Sequence, residues 1–284
     1  MPMHLSDGHV HTEWSWDAAA GSMERSCARA VELGLPSIAF TEHVDFTAWL
    51  IAPEVTAENG PFDAAWAGPD GRFRPPLLEA PGYLACVQRC REQFPGLRIV
   101  SGAELGEPHW HEQQVKALLG AGSFDRVLGS VHCVAADEPW MVDHHLFDRI
   151  EPGELIRAYL AEALSLVSSS APFAVLAHID YPVRYWPTSA GRFDAAAYED
   201  EYRAVLGVLA RSGRALEVNT KVPLPAVIVR WWYEAGGEAV VFGSDAHEPA
   251  VIARGFSDAA AMVEAAGFHA GRYREDFWRR IIPY

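Results

Sequence analysis

Short apolar runs alternate with longer stretches of helical spacing along nearly the whole chain. Apolar runs at 4–11, 37–43, 97–104, 126–132, 173–180, 215–220 and 239–247 predict strands. Between and after them, apolar positions three and four apart predict helices near 22–33, 82–94, 109–119, 153–168, 194–211, 224–235 and 257–266, with a short last helix near 274–281. Gly34 after Ala30-Val31-Glu32-Leu33 reads as a helix C-cap, and Ser257 before a run of alanines as a helix start. Strand then helix, seven times over, predicts a parallel α/β architecture. A chain of 284 residues suits one β/α barrel, so a single domain is expected.

The stretch 45–81 breaks this rhythm. It is rich in Pro and Gly, with Trp49, Phe62, Trp66 and Phe73 scattered through it. A loop of this length inside a compact domain is usually functional or disordered, and the aromatics argue against disorder. A lid or wall over a site is one expectation; a packed surface insertion anchored by its aromatics is the other.

Composition narrows the function. Half the residues are apolar, ample for a large core, and no run is long enough to span a membrane. The start, MPMHLSDGHVH, lacks a basic segment followed by an apolar one, so a cytoplasmic protein is expected. Cys27, Cys86, Cys90 and Cys133 form no CxxC pair and read as free thiols, Cys86 and Cys90 on one helix face. The formal charge of −15 disfavours nucleic acid and anionic membranes as partners. Three divalent ions would bring it to −9, and a locally positive site can still hold phosphate.

The candidate chemistry lies at the ends of the predicted strands. These ends read Asp7-Gly8-His9-Val10-His11, Thr41-Glu42-His43, Gly102-Ala103-Glu104, Gly129-Ser130-Val131-His132, Ala177-His178-Ile179-Asp180 and Gly243-Ser244-Asp245-Ala246-His247. They hold six of the twelve histidines. In a parallel barrel all these ends meet on one rim. His9 with His11, and Asp245 with His247, are spaced i, i+2, which on a strand projects both side chains to one side. Imidazole and carboxylate suit Zn, Fe or Mn. Nine candidates, His9, His11, Asp17, His43, Glu104, His132, His178, Asp245 and His247, are too many for one ion and suit two or three. A single strand-end histidine is more often structural than a ligand; six on one rim are the signal. Glu107 competes with Glu104 as a bridging carboxylate, and Glu104 is preferred because it ends the apolar run. Asp45 and Asp180 are candidates for holding ligand histidines in one tautomer, with ordinary surface acids as the equal alternative. His109 and His111 follow the third strand closely and stand in reach of the same rim. His4, His144, His145 and His269 have no partner pattern and read as surface or capping residues.

Taken together, the H-x-H followed by Asp17, the T-E-H at His43, the G-x-E at Glu104, the S-x-H at His132, the A-H-x-D at His178 and the final S-D-A-H resemble the polymerase and histidinol phosphatase (PHP) superfamily. The similarity runs from Asp7 to His247 and is greatest to its histidinol-phosphatase branch, where an aspartate stands at the position of Asp17. The resemblance implies a distorted, TIM-like (β/α)7 barrel with a trinuclear centre. It implies one ion held by His9, His11, Glu104 and Asp245, a second by Glu104, His132 and His178, and a third by Asp17, His43 and His247. It also implies a phosphate-binding arginine after His178, for which Arg184 is the candidate, and a small phosphorylated substrate, L-histidinol phosphate first. Asp245 and His247 remain alternatives for delivering a proton to the leaving group. Another phosphoesterase acting on nucleotides or other phosphorylated metabolites, and a non-catalytic metal-binding module, are the rival expectations. The sequence leaves the oligomeric state open.

Overall fold

The computed structural model describes residues 5–50, 66–135, 138–271 and 277–280. In chain order its strands are β1 (Asp7–Val10), β2 (Ser37–Asp45), β3 (Trp49–Leu50), β4 (Arg72–Phe73), β5 (Arg98–Gly106), β6 (Arg126–Ser130), β7 (Cys133–Ala135), β8 (Pro139–Met141), β9 (Val175–Leu176), β10 (Ala215–Asn219), β11 (Ala239–Gly243), β12 (Phe268–His269) and β13 (Trp278–Arg280). The α-helices among the described residues are α1 (Met23–Leu33), α2 (Ala80–Gln93), α3 (Glu112–Ala121), α4 (Pro152–Ser168), α5 (Glu199–Arg211), α6 (Ala226–Glu234) and α7 (Phe256–Ala265).

Local chemistry explains the helix ends. Ser22 caps α1 by accepting from the Arg25 amide, and Gly34 ends it in the left-handed region at φ 71°, where a Cβ would be strained. The buried positions of α1, Met23, Ser26, Cys27 and Ala30, recur every three or four residues and form one stripe. In α4, Glu151 caps the start ahead of Pro152, and Leu155, Ile156, Tyr159, Leu160 and Ala163 face the core. All four cysteines are free and buried, with Cys86 and Cys90 both on the inner face of α2. No helix among the described residues is long and apolar enough to cross a membrane.

The fold is mixed α/β, built on a curled nine-stranded sheet with the order β1-β2-β5-β6-β9-β10-β11-β13-β12. Its first seven strands run parallel and follow chain order, as the predicted alternation requires. β2 and β5 pair in register from Ser37 opposite Arg98 to Asp45 opposite Gly106, making the longest part of the wall. The sheet curls so that the segment after β11 bonds to the end of β1. His11 N donates to Ala246 O at 2.8 Å, and Asp245 N to His9 O at 2.9 Å. At the other end of β11, Ala239 and Val240 pair instead with antiparallel β13.

Two apolar layers support the rim. The larger lies between strands and helices and contains Trp231, Trp232, Tyr159 and Phe256. A small second cluster, Leu128, Val175, Ala177, Ala215, Ala239 and Val241, comes from alternate residues of adjacent strands. Ala215 in that cluster lies two residues before Glu217, on the same side of its strand, so polar groups succeed apolar ones toward the strand ends.

Three expectations need correction. The described part of the predicted last helix, Trp278–Arg280, is a strand, because its backbone completes the edge of β11. Helix α7 starts at Phe256 behind Gly255 at φ 71°, so Ser257 lies inside it and is not its cap. The described parts of 45–81 are not a plain loop. β3 and β4 join β7 and β8 in a separate four-stranded sheet ordered β4-β3-β8-β7. There Trp49 and Phe73 are buried with Cys133, against Trp16, Trp66, Trp110 and Met141. Phe62 and the whole of 51–65 lie outside the described residues, as does His4.

Candidate metal centre

All nine candidate ligands meet at one mouth, at and just beyond the ends of the parallel strands, with Glu104 at the middle. Its Oε2 lies 3.2 Å from His9 Nε2, 3.3 Å from His11 Nε2 and 3.1 Å from His43 Nδ1. Its Oε1 lies 3.1 Å from His132 Nε2 and 2.6 Å from His178 Nε2. Asp17 Oδ2 lies 3.3 Å from His43 Nε2 and 2.9 Å from His247 Nε2. Asp245 Oδ1 lies 3.5 Å from His11 Nε2.

Only some of these residues stand on strands. β1 ends at Val10, β6 at Ser130, β9 at Leu176 and β11 at Gly243, so His11, His132, His178, Asp245 and His247 follow the strands. The i, i+2 strand argument therefore fails for Asp245 and His247. Asp245 sits at φ 51°, a left-handed conformation that non-glycine residues adopt rarely and chiefly in sites. His247 is brought back by its own ring, whose Nδ1 donates to the Asp245 carbonyl at 3.0 Å.

The outer partners fix which nitrogens face inward. His9 Nδ1 is 2.7 Å from Glu217 Oε1, and His132 Nδ1 is 2.9 Å from Asp45 Oδ1; a carboxylate only accepts, so each Nδ1 carries the proton. His11 Nδ1 lies 3.0 Å from Ser15 Oγ. That hydroxyl donates its own proton to Glu42 Oε2 at 2.6 Å, so it accepts from His11. His9, His11 and His132 in their neutral forms thus turn bare Nε2 lone pairs toward one another and toward Glu104. His247 does the same toward Asp17. His9 Nε2 and His11 Nε2 are 2.9 Å apart, too close for two facing lone pairs, so a proton or a metal ion is shared between them. Neutral imidazoles and carboxylates converging in this way fit divalent metal ions.

The charges agree. Burial alone would raise the Glu104 and Asp245 carboxyls, yet the cationic histidines beside Glu104, and Arg184 and Lys221 beside Asp245, hold both well below the usual range. Burial works against a charged His9, but Glu217, Glu104 and Asp245 outweigh it and raise the group. His11 is lowered by burial and by His43 and His247. Burial also lowers His178, to about 4. By distance alone the donors form three groups: His9, His11 and Glu104; His43, Glu104 and His132; and His11, His43 and His247. The first falls within the expected set of one ion. The other two mix expected sets, because Glu104 and His43 stand within reach of several neighbours.

Several sequence candidates lie elsewhere. Glu107 is buried at φ 42° and accepts from the amides of His132 and Cys133 and from Thr47 Oγ1, so it orients the segment after β6. His109 pairs with Glu162 at 2.6 Å, and His111 meets Thr47 at 2.8 Å; neither joins the cluster. Asp45 holds His132 as expected and also accepts from Trp16 Nε1 at 2.9 Å. Asp180 makes no hydrogen bond to His178 among the described contacts; burial raises its carboxyl to about 7. His144 and His269 are exposed. Arg184 pairs with Asp245 Oδ2 at the mouth.

Sequence reading predicted the sixth parallel strand but gave it no site residue, because neither it nor the segment after it carries a histidine. Its Glu217 holds His9 Nδ1 and accepts from the His178 amide at 2.7 Å. Gly243 makes room for it: a Cβ there would lie 2.0 Å from Glu217 Oε1. Asn219 Nδ2 donates to Glu217 Oε2 at 3.2 Å. The signal was present, a glutamate inside an apolar strand run with a polar residue two positions on. Replacing Glu217 by glutamine should lower metal affinity by about 10- to 100-fold, because the ring of His9 loses its anionic acceptor. Metal titration of the apoprotein measures this, and unchanged affinity would contradict the role.

A family model described as the PHP domain matches residues 7–221. A protein of Deinococcus radiodurans described as "Probable histidinol-phosphatase" is 29% identical over 98% of this chain and 99% of its own. The "Histidinol-phosphatase" of Lactococcus lactis is 24% identical, covering 94% of this chain and 93% of that protein. A crystal structure of histidinol phosphate phosphatase from Lactococcus lactis, complexed with Zn, L-histidinol and phosphate, shares the fold at a TM-score of 0.77 and 22% identity, covering 94% of this chain and 95% of that one. With its glutamate-centred histidine cluster and a match over most of its length, this chain belongs to the PHP domain family.

Proposed function

We propose that the chain is a metal-dependent phosphomonoesterase that hydrolyses L-histidinol phosphate to L-histidinol and phosphate. One observation carries the reading: a single buried carboxylate, Glu104, stands between five imidazoles, with Arg184 beside the neighbouring Asp245. The full-length similarity to histidinol-phosphatases selects the substrate. The whole chain is read as one domain, a distorted (β/α)7 barrel with an insertion at about 45–81. Seven parallel strands in chain order, with β1 bonded to the segment after β11, support that reading.

His9, His11, Glu104 and Asp245 would hold one ion, Glu104, His132 and His178 a second, and Asp17, His43 and His247 a third, with Zn, Fe or Mn suited to these donors. Bound there, such ions supply a water nucleophile acidic enough to act near neutral pH and offset charge on the phosphoryl oxygens. The remaining work falls to the chain. Unaided hydrolysis of a phosphate monoester is so slow that about 20 kcal/mol of barrier must be removed. Glu217, Asp45 and the Ser15–Glu42 pair keep the ligand rings aimed. Arg184 offers a planar fork to two phosphoryl oxygens. The water oxygen would bond to phosphorus as the bond from phosphorus to the ester oxygen breaks, and the proton that the water gives up would pass to the leaving alkoxide, with Asp245 or His247 as its carrier. The aromatic cluster around Trp16, Trp49 and Phe73 would form a wall beside His43, since the Trp16 ring lies 5.8 Å from the His43 ring.

A phosphate-release screen of the metal-loaded protein tests the reading. Histidinol phosphate should exceed nucleotides and other amino-alcohol phosphates in kcat/KM by at least about tenfold. Preference for a nucleotide would replace the substrate but keep the chemistry. No turnover of any phosphomonoester by a metal-loaded protein would leave the non-catalytic module.

A further inference from the structure

Two residues past the end of β10 stands a lysine, Lys221, that neither the ligand set nor the arginine accounts for. Glu217, Asn219 and Lys221 are spaced by two along and just past β10. Asn219 Oδ1 accepts from the Lys221 amide at 2.9 Å and so fixes the residue at the mouth. The Lys221 ammonium lies 3.3 Å from Asp245 Oδ1. Arg184 approaches the other oxygen of the same carboxylate. Asp245 therefore stands between two cations that come from different strand ends.

Lys221 is also 3.4 Å from His247 Nδ1, but that nitrogen gives its proton to the Asp245 carbonyl and cannot accept another hydrogen bond. Of the three N–H groups of the ammonium, one suffices for Asp245 Oδ1. The side chain is 38% exposed while that of Asp245 is 3% exposed. Lys221 lines a cavity of about 370 Å³ together with Asp17, Asp245, His247, Glu248 and Arg254. Anchoring a carboxylate that Arg184 already binds does not require a second, half-exposed cation; such pairs add little to stability. A doubly charged tetrahedral oxyanion entering this cavity meets Lys221, while Arg184, outside the cavity lining, holds the other oxygen of Asp245.

We propose that Lys221 is a second anion-binding side chain of the mouth and donates to a phosphoryl oxygen of the substrate. The inference rests on the phosphomonoesterase reading, and its test separates the two. Wild type, Lys221→Met and Lys221→Arg, each loaded with metal, are titrated with inorganic phosphate by calorimetry. They are also assayed on histidinol phosphate, with metal content measured for each. The methionine variant should bind phosphate at least about tenfold more weakly and raise KM by a similar factor, with kcat less affected and metal content unchanged. The arginine variant should recover most of both losses, because it restores the charge. Unchanged phosphate affinity and KM in Lys221→Met would overturn the proposal. So would loss of metal with unchanged phosphate affinity at the sites still loaded, which would confine Lys221 to holding Asp245. If the wild type turns over no phosphomonoester, the functional reading falls, while the phosphate titration still decides the role of Lys221.

Discussion

Glu104→Gln is expected to reduce phosphate release about a thousandfold or more and to leave the protein with fewer bound ions. The residue is fully buried, and its two oxygens divide five imidazoles between them, three on Oε2 and two on Oε1. Glutamine keeps the shape but removes the charge and turns one oxygen into a donor. An NH2 group can satisfy an imidazole lone pair, but it does not ligate a cation. Charge stabilisation by an ion is worth several kcal/mol in the transition state, and each 1.36 kcal/mol is a factor of ten. Glu107→Gln serves as the control. It removes the same charge from a buried site three residues along, yet its amide oxygen still accepts from the His132 and Cys133 amides. That variant should keep its metal. Wild-type kcat and metal content in Glu104→Gln would remove the centre of the proposed site.

What the sequence revealed depends on how far each feature is local. The seven parallel strands and their order were legible because each is an apolar run bounded by polar residues, followed by a helix with its own stripe. β3, β4, β7 and β8 were not, being two or three residues long and specified by pairing across the chain, as Leu50 opposite Trp140 illustrates. The same holds for β13, whose residues read as helical until the edge of β11 gives them partners. At the site, His9, His43 and Glu104 stood out because each stands at the end of a predicted strand. Asp245 was found by its motif, although the strand periodicity used to justify its aim does not apply to a residue at φ 51°. Glu42 sat inside the quoted T-E-H without a role. Its part, accepting from Thr12 and Ser15, depends on β1 and β2 being neighbours, and nothing in a linear pattern states that. Residues that hold a ligand through its far nitrogen are the hardest to see, since they need only a correct distance and no spacing.

Chelation should abolish activity and lower Tm, and the loss of Tm should grow as pH rises. In the metal-free protein His9, His43 and His132 are raised well above 6.5: burial opposes their charge, but the surrounding carboxylates outweigh it. A raised folded-state value means the stabilisation is complete below the unfolded value, near 6.5, and disappears as pH climbs through the folded one. Asp17, Glu104 and Asp245 are held well below their ordinary values, so their contribution is complete above about 4.5 and is lost only in acid. Between these limits protons on the histidines act as the cations of the site. Above them the carboxylates lose that compensation unless metal replaces it. Metal binding reverses the dependence, because ligands must shed protons to bind, and it adds about 4 kcal/mol per site at a thousandfold excess over Kd. The Tm difference between loaded and chelated protein should therefore be small near pH 5 and largest near pH 9. Thermal unfolding at several pH values, with and without chelator, measures it. Restoring the metal should recover both activity and Tm. A difference that shrinks toward alkaline pH would mean that protons and metal ions do not compete for one set of lone pairs.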